Sequence, residues 1–224
     1  TRCAAGGYGD GTWATGTSRK SGTRTGPATF RSVGVEHLDP VHPVATSDRY
    51  SGSNHPMRAV TRSIAFEDGW GPERAEFVRG VFDGLAEEWS ATRGGPGRTL
   101  QLGDALDRGG VGGGTAVELG SGTGLVSHLL AQHFDRVVAV DLSLEMLRHA
   151  VDDAPAVNAD AARLPLPDGV ADAVVLMNMF LFPTEVDRCL APDGALVWVS
   201  SRAEDTPIHL APEEVVRALA EAGC

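Results

Sequence analysis

The sequence has 224 residues, of which 42% are apolar, so it is long enough for one α/β domain with a full core. It contains no apolar run of the ~18 residues that a membrane-spanning helix needs and no apolar N-terminal stretch of secretory length. The formal net charge is −11, and residues 61–224 carry 12 basic against 26 acidic side chains, which disfavours nucleic acid and anionic membranes as partners.

The first 60 residues differ in composition from the rest of the chain. Gly, Ser and Thr account for 23 of them, and apolar residues show no sustained periodicity. Such a segment buries too little apolar area to offset its ordering entropy, so residues 1–60 are predicted to be a largely disordered tail.

Residues 61–110 are predicted to form a helical cap. Apolar residues recur at helical spacing over 72–92 and again over 98–108, which predicts two amphipathic helices. Phe77, Phe82 and Trp89 form a stripe on the first of them that is either a substrate lid or an ordinary packing face. The glycine run 109–114 then serves as a linker.

The main domain, residues 111–224, alternates short apolar runs with helical stretches. Strands are predicted over 115–119, 136–140, 155–158, 171–177 and 195–200, and helices over 125–134, 143–150, 184–190 and 212–222. This alternation is typical of a doubly wound, Rossmann-like α/β fold with a parallel sheet, in the strand order third-second-first-fourth-fifth. The fifth strand is then an unpaired edge, which predicts marginal stability or self-association through that strand.

The sharpest motif closes the first strand of this domain and reads VELGSGTG over residues 117–124. Its glycines allow a sharp turn and close approach of a ligand to the N–H groups of the next helix. Asp141 follows the second strand, where a carboxylate accepts hydrogen bonds from both hydroxyls of an adenosine ribose. Glu118 would repel a pyrophosphate, and Leu125 stands where the dinucleotide fingerprint has its third glycine, so NAD and FAD fit poorly.

These residues resemble the class I S-adenosylmethionine-dependent methyltransferases, most closely the small-molecule, quinone-biosynthesis-type branch. The resemblance runs from about residue 66 to 222 and implies S-adenosylmethionine as cofactor. It also implies the cofactor-binding residues. These are Glu118, Gly120, Ser121, Gly122 and Gly124 around methionine and ribose, Asp141 on the ribose hydroxyls, Leu142 and Met146 beside adenine, Asp160 and Ala161 at its amino group, and Asn178, with Met179, where cofactor and acceptor meet. The family usually closes its sheet with a β-hairpin, for which this sequence offers no segment after residue 222.

The functional prediction is methyl transfer to a small-molecule acceptor. The alternatives are a catalytically inactive S-adenosylmethionine-binding domain and, less favoured, a nucleotide-dependent oxidoreductase. No general base and no metal site can be assigned, and the isolated His149 and His209 are expected to be solvated or to cap helices. Three scattered cysteines without a CxxC pair favour a reducing cytoplasm.

Overall fold

The computed structural model describes residues 2–5, 31–32, 55–150 and 155–223. Its strands are β1 (Arg2–Ala5), β2 (Arg31–Ser32), β3 (Thr115–Leu119), β4 (Arg136–Asp141), β5 (Ala156–Asn158), β6 (Ala171–Met177) and β7 (Leu190–Val199). Its helices are α1 (Met57–Phe66), α2 (Pro72–Asp83), α3 (Ala86–Arg93), α4 (Pro96–Gly109), α5 (Ser127–His133), α6 (Leu144–Arg148), α7 (Pro183–Cys189) and α8 (Pro212–Ala222), with a 3-10 turn at Ala203–Asp205. None of the helices in these ranges is long and apolar enough to cross a membrane.

The strands form one sheet in the order β2-β1-β7-β6-β3-β4-β5, and every neighbouring pair is parallel. The five strands of the main domain therefore lie in the order third-second-first-fourth-fifth, which confirms the predicted α/β fold. The carboxyl ends of β3, β4, β5 and β6 meet at one edge of the sheet, where open parallel sheets bind their ligands.

Both faces of the sheet are buried, as continuous apolar strands require. Along β6, Val174 and Leu176 belong to the larger core, whereas Ala173 and Val175 belong to the core on the opposite face. The larger core lies under α1, α7 and α8, and the smaller one lies under α4 and α5. The two cores hold the strand ends rigidly, and the site is built on those ends.

The prediction of an unpaired edge at the fifth strand is wrong. β1 pairs with β7 from Arg2 opposite Ala195 to Ala5 opposite Trp198, and β2 continues the sheet beyond it. An apolar strand edge needs partners for its N–H and C=O groups, and residues from the predicted tail supply them. The exposed edge that was expected to drive self-association is therefore covered. The remaining predicted tail residues 1, 6–30 and 33–54 lie outside the described residues.

Two helical predictions also need correction. The single helix predicted over 72–92 is divided into α2 and α3 at Gly84 and Leu85, where a tight turn brings the Leu85 N–H to the Phe82 carbonyl at 3.0 Å. α1 begins at Met57, inside the segment predicted to be tail, and Ile64 and Ala65 bury it against the larger core. Tertiary burial stabilises this helix where composition argued against order.

Candidate functional site

The glycine loop, residues 120–124, follows β3 and is held against the neighbouring strand. Gly120 and Gly122 have φ angles of 70° and 58°, in the left-handed region that other residues rarely adopt. The N–H groups of Gly120 and Ser121 both donate to the carbonyl oxygen of Val140, at 2.8 and 3.1 Å. The loop is therefore fixed to the end of β4, with its backbone at the ligand-binding edge of the sheet.

The residues that follow β6 border the same loop. A Cβ atom on Gly120 would lie 2.7 Å from Sδ of Met179, so the Met179 side chain packs directly on the loop backbone. Asn178 has a φ angle of 53°, an uncommon conformation for a residue with a side chain. Its amide donates to Ser201 Oγ at 2.9 Å and accepts from the Ser201 N–H at 2.8 Å. The Asn178 amide therefore joins the ends of β6 and β7.

Asp141 connects the glycine loop to the start of α6. Its Oδ2 accepts the N–H of Gly122 at 2.7 Å, and its Oδ1 accepts the N–H of Ser143 at 2.8 Å. Burial raises the pKa of Asp141 above its ordinary value, and the nearby Asp83 carboxylate adds to the rise, while hydrogen bonds from the backbone N–H groups of Ser143, Gly122 and Leu142 oppose it. A carboxylate has about four acceptor positions, so Asp141 can still accept a hydrogen bond from a ribose hydroxyl.

Leu142 and Met146 lie beside Asp141, at the first turn of α6. The Ser143 hydroxyl caps this helix by accepting the Met146 N–H at 3.0 Å, and Met146 is fully buried. The carbonyl oxygen of Leu142 accepts a hydrogen bond from the Asn158 side chain at 2.9 Å, which links the turn to the end of β5. These contacts hold an apolar wall next to the carboxylate.

Asp160 follows β5 and is already engaged by the N-terminal helices. The indole N–H of Trp70 donates to Asp160 Oδ1 at 3.1 Å and to Oδ2 at 2.9 Å, and the N–H of Ala162 donates to Oδ1 at 2.9 Å. Ala161, the next residue, is buried in the larger core. The predicted pair therefore lies at the expected strand end, and Trp70 contacts its carboxylate.

Two further polar side chains lie at the base of the glycine loop. Glu118 is buried with 3% of its surface exposed, and its Oε2 accepts a hydrogen bond from Ser127 Oγ at 2.6 Å. Ser121 Oγ is also buried, and it has no hydrogen-bond partner among the described residues. A buried hydroxyl without a partner is costly, so its position next to the loop indicates that a ligand completes it.

The helical cap covers the glycine loop directly. The Ser90 and Thr123 hydroxyls share a hydrogen bond of 2.8 Å, and a Cβ atom on Gly122 would lie 3.5 Å from Nε1 of Trp89. The Ser143 hydroxyl donates to Asp83 Oδ1 at 2.5 Å, which ties the end of α2 to the start of α6. Thus α3 packs directly on the loop, and α2 is attached to the start of α6 beside it.

Sequence reasoning missed the cap residues that reach the site, namely Trp70, Asp83 and Ser90. Their partners lie 90, 60 and 33 positions away along the chain, and helical periodicity carries no information about such contacts. The tryptophan in the Gly-Trp-Gly-Pro turn was the one available signal, because a large aromatic residue in a turn usually needs a packing partner.

The structure also corrects the expectation for His209, which is buried rather than solvated. Its Nδ1 lies 3.0 Å from Ser200 Oγ, and burial lowers its pKa, with the Arg58 charge acting in the same direction. Across the described ranges, no group of three or more His, Cys, Asp or Glu side chains is placed to hold a metal ion.

Comparison with known proteins shows which domains this site resembles. Residues 117–198, which include the glycine loop and Asp141, match the family model described as a methyltransferase domain. This segment is similar to the methyltransferase domain of the class I S-adenosylmethionine-dependent enzymes. The cofactor predicted from the resemblance, S-adenosylmethionine, is the cofactor of such domains.

Two solved structures with TM-scores of 0.50 or more support the fold. The [4+2]-cyclase SpnF is 21% identical, with 66% of this chain and 72% of that chain covered and a TM-score of 0.55. The complex between the Haloferax volcanii Trm112 methyltransferase activator and a methyltransferase gives 23% identity, coverage of 63% and 75%, and a TM-score of 0.50. PH0226 from Pyrococcus horikoshii OT3 is 26% identical over 45% of this chain, at a TM-score of 0.42, and the match spans 55% of its length. A search of curated proteins found no match.

The residues present fit the cofactor of the methyltransferase domain. S-adenosylmethionine carries two ribose hydroxyls, an amino-acid group and an adenine amino group. Asp141 offers a carboxylate acceptor for the hydroxyls, and the Ser121 hydroxyl, which has no partner among the described residues, lies next to the loop backbone that would receive the amino-acid group. A pyrophosphate would instead meet the buried Glu118 carboxylate.

Proposed function

We propose that this protein transfers the methyl group of S-adenosylmethionine to a small organic acceptor. The observation that carries the proposal is the arrangement of Asp141, whose two oxygens hold the glycine loop and the start of α6 at 2.7 and 2.8 Å. That arrangement presents one carboxylate and the backbone of a glycine loop to a single adenosine-sized ligand. The bound cofactor supplies a methyl group activated by a positively charged sulfur.

The residues of this chain are proposed to bind and orient the cofactor and the acceptor rather than to act as acids, bases or nucleophiles. Asp141 holds the ribose hydroxyls, Leu142 and Met146 flank the adenine, and Ala161 with Asp160 lies at its amino edge. Gly120, Ser121, Gly122 and Gly124 leave room for the methionine part, and Glu118 orients its ammonium. In-line displacement depends mainly on positioning and on exclusion of water, which α2 and α3 provide from above.

The acceptor is proposed to meet the cofactor beside Asn178 and Met179, where the end of β6 borders the glycine loop. A quinone-type or other small aromatic acceptor matches the branch that the sequence resembles. The excess of acidic residues over residues 61–224 argues against nucleic acid and anionic membranes as substrates. The three scattered cysteines support a cytoplasmic location.

A second candidate is a domain that binds the cofactor without transferring its methyl group. Two side chains expected to face ligands, Asp160 and Asn178, already hold Trp70 and Ser201. Side chains that are held by the protein itself are consistent with a domain that only binds the cofactor, and the absence of turnover on every acceptor would decide for this candidate.

The test is an incubation with methyl-labelled S-adenosylmethionine and a panel of phenols, quinols, amines and carboxylic acids. Methyl transfer predicts acceptor-dependent release of S-adenosylhomocysteine by at least one class. Binding of S-adenosylhomocysteine without any turnover would favour the second candidate, and binding of NADH instead would favour an oxidoreductase.

A further inference from the structure

Trp70 connects the helical cap to two strand ends at once. It lies in the turn between α1 and α2, and its ring packs against Phe180 at 5.9 Å and against Phe182 edge-on at 5.2 Å between ring centroids. Those phenylalanines follow β6, whereas the indole N–H reaches Asp160 after β5. Packing on two rings and a hydrogen bond to a carboxylate together hold the indole in one orientation.

The hydrogen bonds of Asp160 leave a defined place for one more donor. An ionised carboxylate has about four acceptor positions, two on each oxygen. Oδ1 receives the Trp70 indole at 3.1 Å and the Ala162 N–H at 2.9 Å, so its two positions are used. Oδ2 receives the indole alone, at 2.9 Å, and keeps one position.

We propose that Trp70 is a positioning residue for cofactor recognition, because its indole N–H fixes the Asp160 carboxylate so that the remaining acceptor position on Oδ2 receives the 6-amino group of adenine. The inference rests on the proposed function, since it requires that the adenine lie at Asp160. Trp70 thereby makes the N-terminal cap part of the selection for adenine over bases that carry an oxygen at this position. A 6-oxo base has an acceptor where adenine has a donor, and it would face the carboxylate oxygen without a hydrogen between them.

A structural role for Trp70 predicts a different result from a positioning role. If the indole only packs between α1 and the residues after β6, its loss weakens all adenosine-like ligands by a similar factor. If the indole orients Asp160, its loss reduces the preference for the amino group specifically. The ratio of two dissociation constants separates these roles, whatever happens to overall stability.

The experiment is calorimetric titration of the full chain with S-adenosylhomocysteine and with S-inosylhomocysteine, its 6-oxo analogue. For the wild type we expect a preference of about tenfold or more for the amino compound, because a mismatched buried acceptor is strongly rejected. Trp70→Phe keeps the aromatic packing and removes the N–H, and we expect it to reduce that preference to within about threefold. Trp198→Phe, which removes an indole N–H that is buried on β7 without a hydrogen-bond partner among the described residues, should leave the ratio unchanged.

Several outcomes overturn the proposal. An unchanged ratio in Trp70→Phe, or no preference in the wild type, would show that Trp70 only packs. If the wild type binds neither compound, the proposed function itself fails, which is a separate result. Should Trp70→Phe not fold, the nitrogen-15 indole resonance of Trp70 in the wild type gives the answer. It should shift more on binding the amino compound than the 6-oxo compound, and equal shifts would contradict the proposal.

Discussion

Asp141→Ala should raise the dissociation constant for the cofactor by more than its loss of folding stability can explain. The substitution removes the acceptor for the Gly122 and Ser143 N–H groups, at 2.7 and 2.8 Å, and the acceptor proposed for both ribose hydroxyls. A hydrogen bond to a charged group contributes about 1.5–3 kcal/mol, and tenfold in affinity corresponds to about 1.4 kcal/mol. Loss of the ribose acceptor alone therefore predicts at least a tenfold increase in the dissociation constant of S-adenosylhomocysteine.

The same substitution should also lower stability. Partly exposed N–H groups regain water when they lose their partner, so we expect a loss of about 1–3 kcal/mol for the pair. In a chain of this size that corresponds to a fall of about 2–12 °C in melting temperature. Binding must therefore be measured by calorimetry well below the melting temperature of the variant.

Asp172→Ala is the matched control for Asp141→Ala. Asp172 Oδ2 accepts the Thr115 N–H at 2.7 Å, where β3 and β6 begin, at the opposite edge of the sheet. This variant should lose stability without changing cofactor affinity by more than about threefold, because additivity holds for distant sites. A dissociation constant within threefold of the wild type in Asp141→Ala, or an equal loss in Asp172→Ala, would refute the assigned role.

Three further variants probe pH dependence and backbone strain. The pKa of Asp141 is raised, and the ribose hydroxyls favour its ionised form, so cofactor affinity should be full above that raised pKa and fall as the pH drops through it. Asp83→Asn removes a charge that contributes to the rise, so calorimetric titration should show that this variant retains affinity to lower pH. Gly122→Ala should lose about 1–2 kcal/mol of stability because its φ is 58°, together with cofactor affinity. Because the pKa of His209 is lowered, the folded protein binds fewer protons than the unfolded chain as the pH drops below 6.5, so the free energy of unfolding should fall there. Chemical denaturation should show a smaller fall in His209→Asn.

The first two of these variants have a matched control, and each of the three predictions has a result that would contradict it. Asp104→Asn, on α4, should leave the pH dependence of binding unchanged, and an unchanged dependence in Asp83→Asn would contradict the first prediction. Gly80→Ala, a helical site with open space around it, should gain up to about 1 kcal/mol, so a gain of stability in Gly122→Ala would contradict the second. The third prediction fails if His209→Asn shows the same loss of stability below pH 6.5 as the wild type.

Elements with strong local signals were predictable from the sequence to the residue. β3, β6 and α8 begin and end where the sequence predicted, because the two strands are continuous apolar runs and the helix has Pro212 at its start and Gly223 at its end. The glycine loop and Asp141 were equally predictable, because each lies at the carboxyl end of a strand that the apolar pattern predicts.

The contacts of the cap and of the N-terminal strands were not predictable in this way. β1 forms only because β7 offers an unpaired edge, and no local pattern in four residues reports that opportunity. The spacing of apolar residues continues across Gly84, so helical periodicity could not predict that the helix divides there. Trp70 and Asp83 act through partners that only the tertiary structure brings near them.

The most direct test of the account is the change in melting temperature on adding S-adenosylhomocysteine or NADH to the wild-type chain. At one hundred times its dissociation constant a ligand adds about 2.7 kcal/mol of apparent stability, which in a chain of this size predicts a rise of about 5–11 °C. We expect that rise with S-adenosylhomocysteine and no rise with NADH. No shift with S-adenosylhomocysteine, or an equal shift with NADH, would contradict the assignment of the glycine loop and Asp141 to this cofactor.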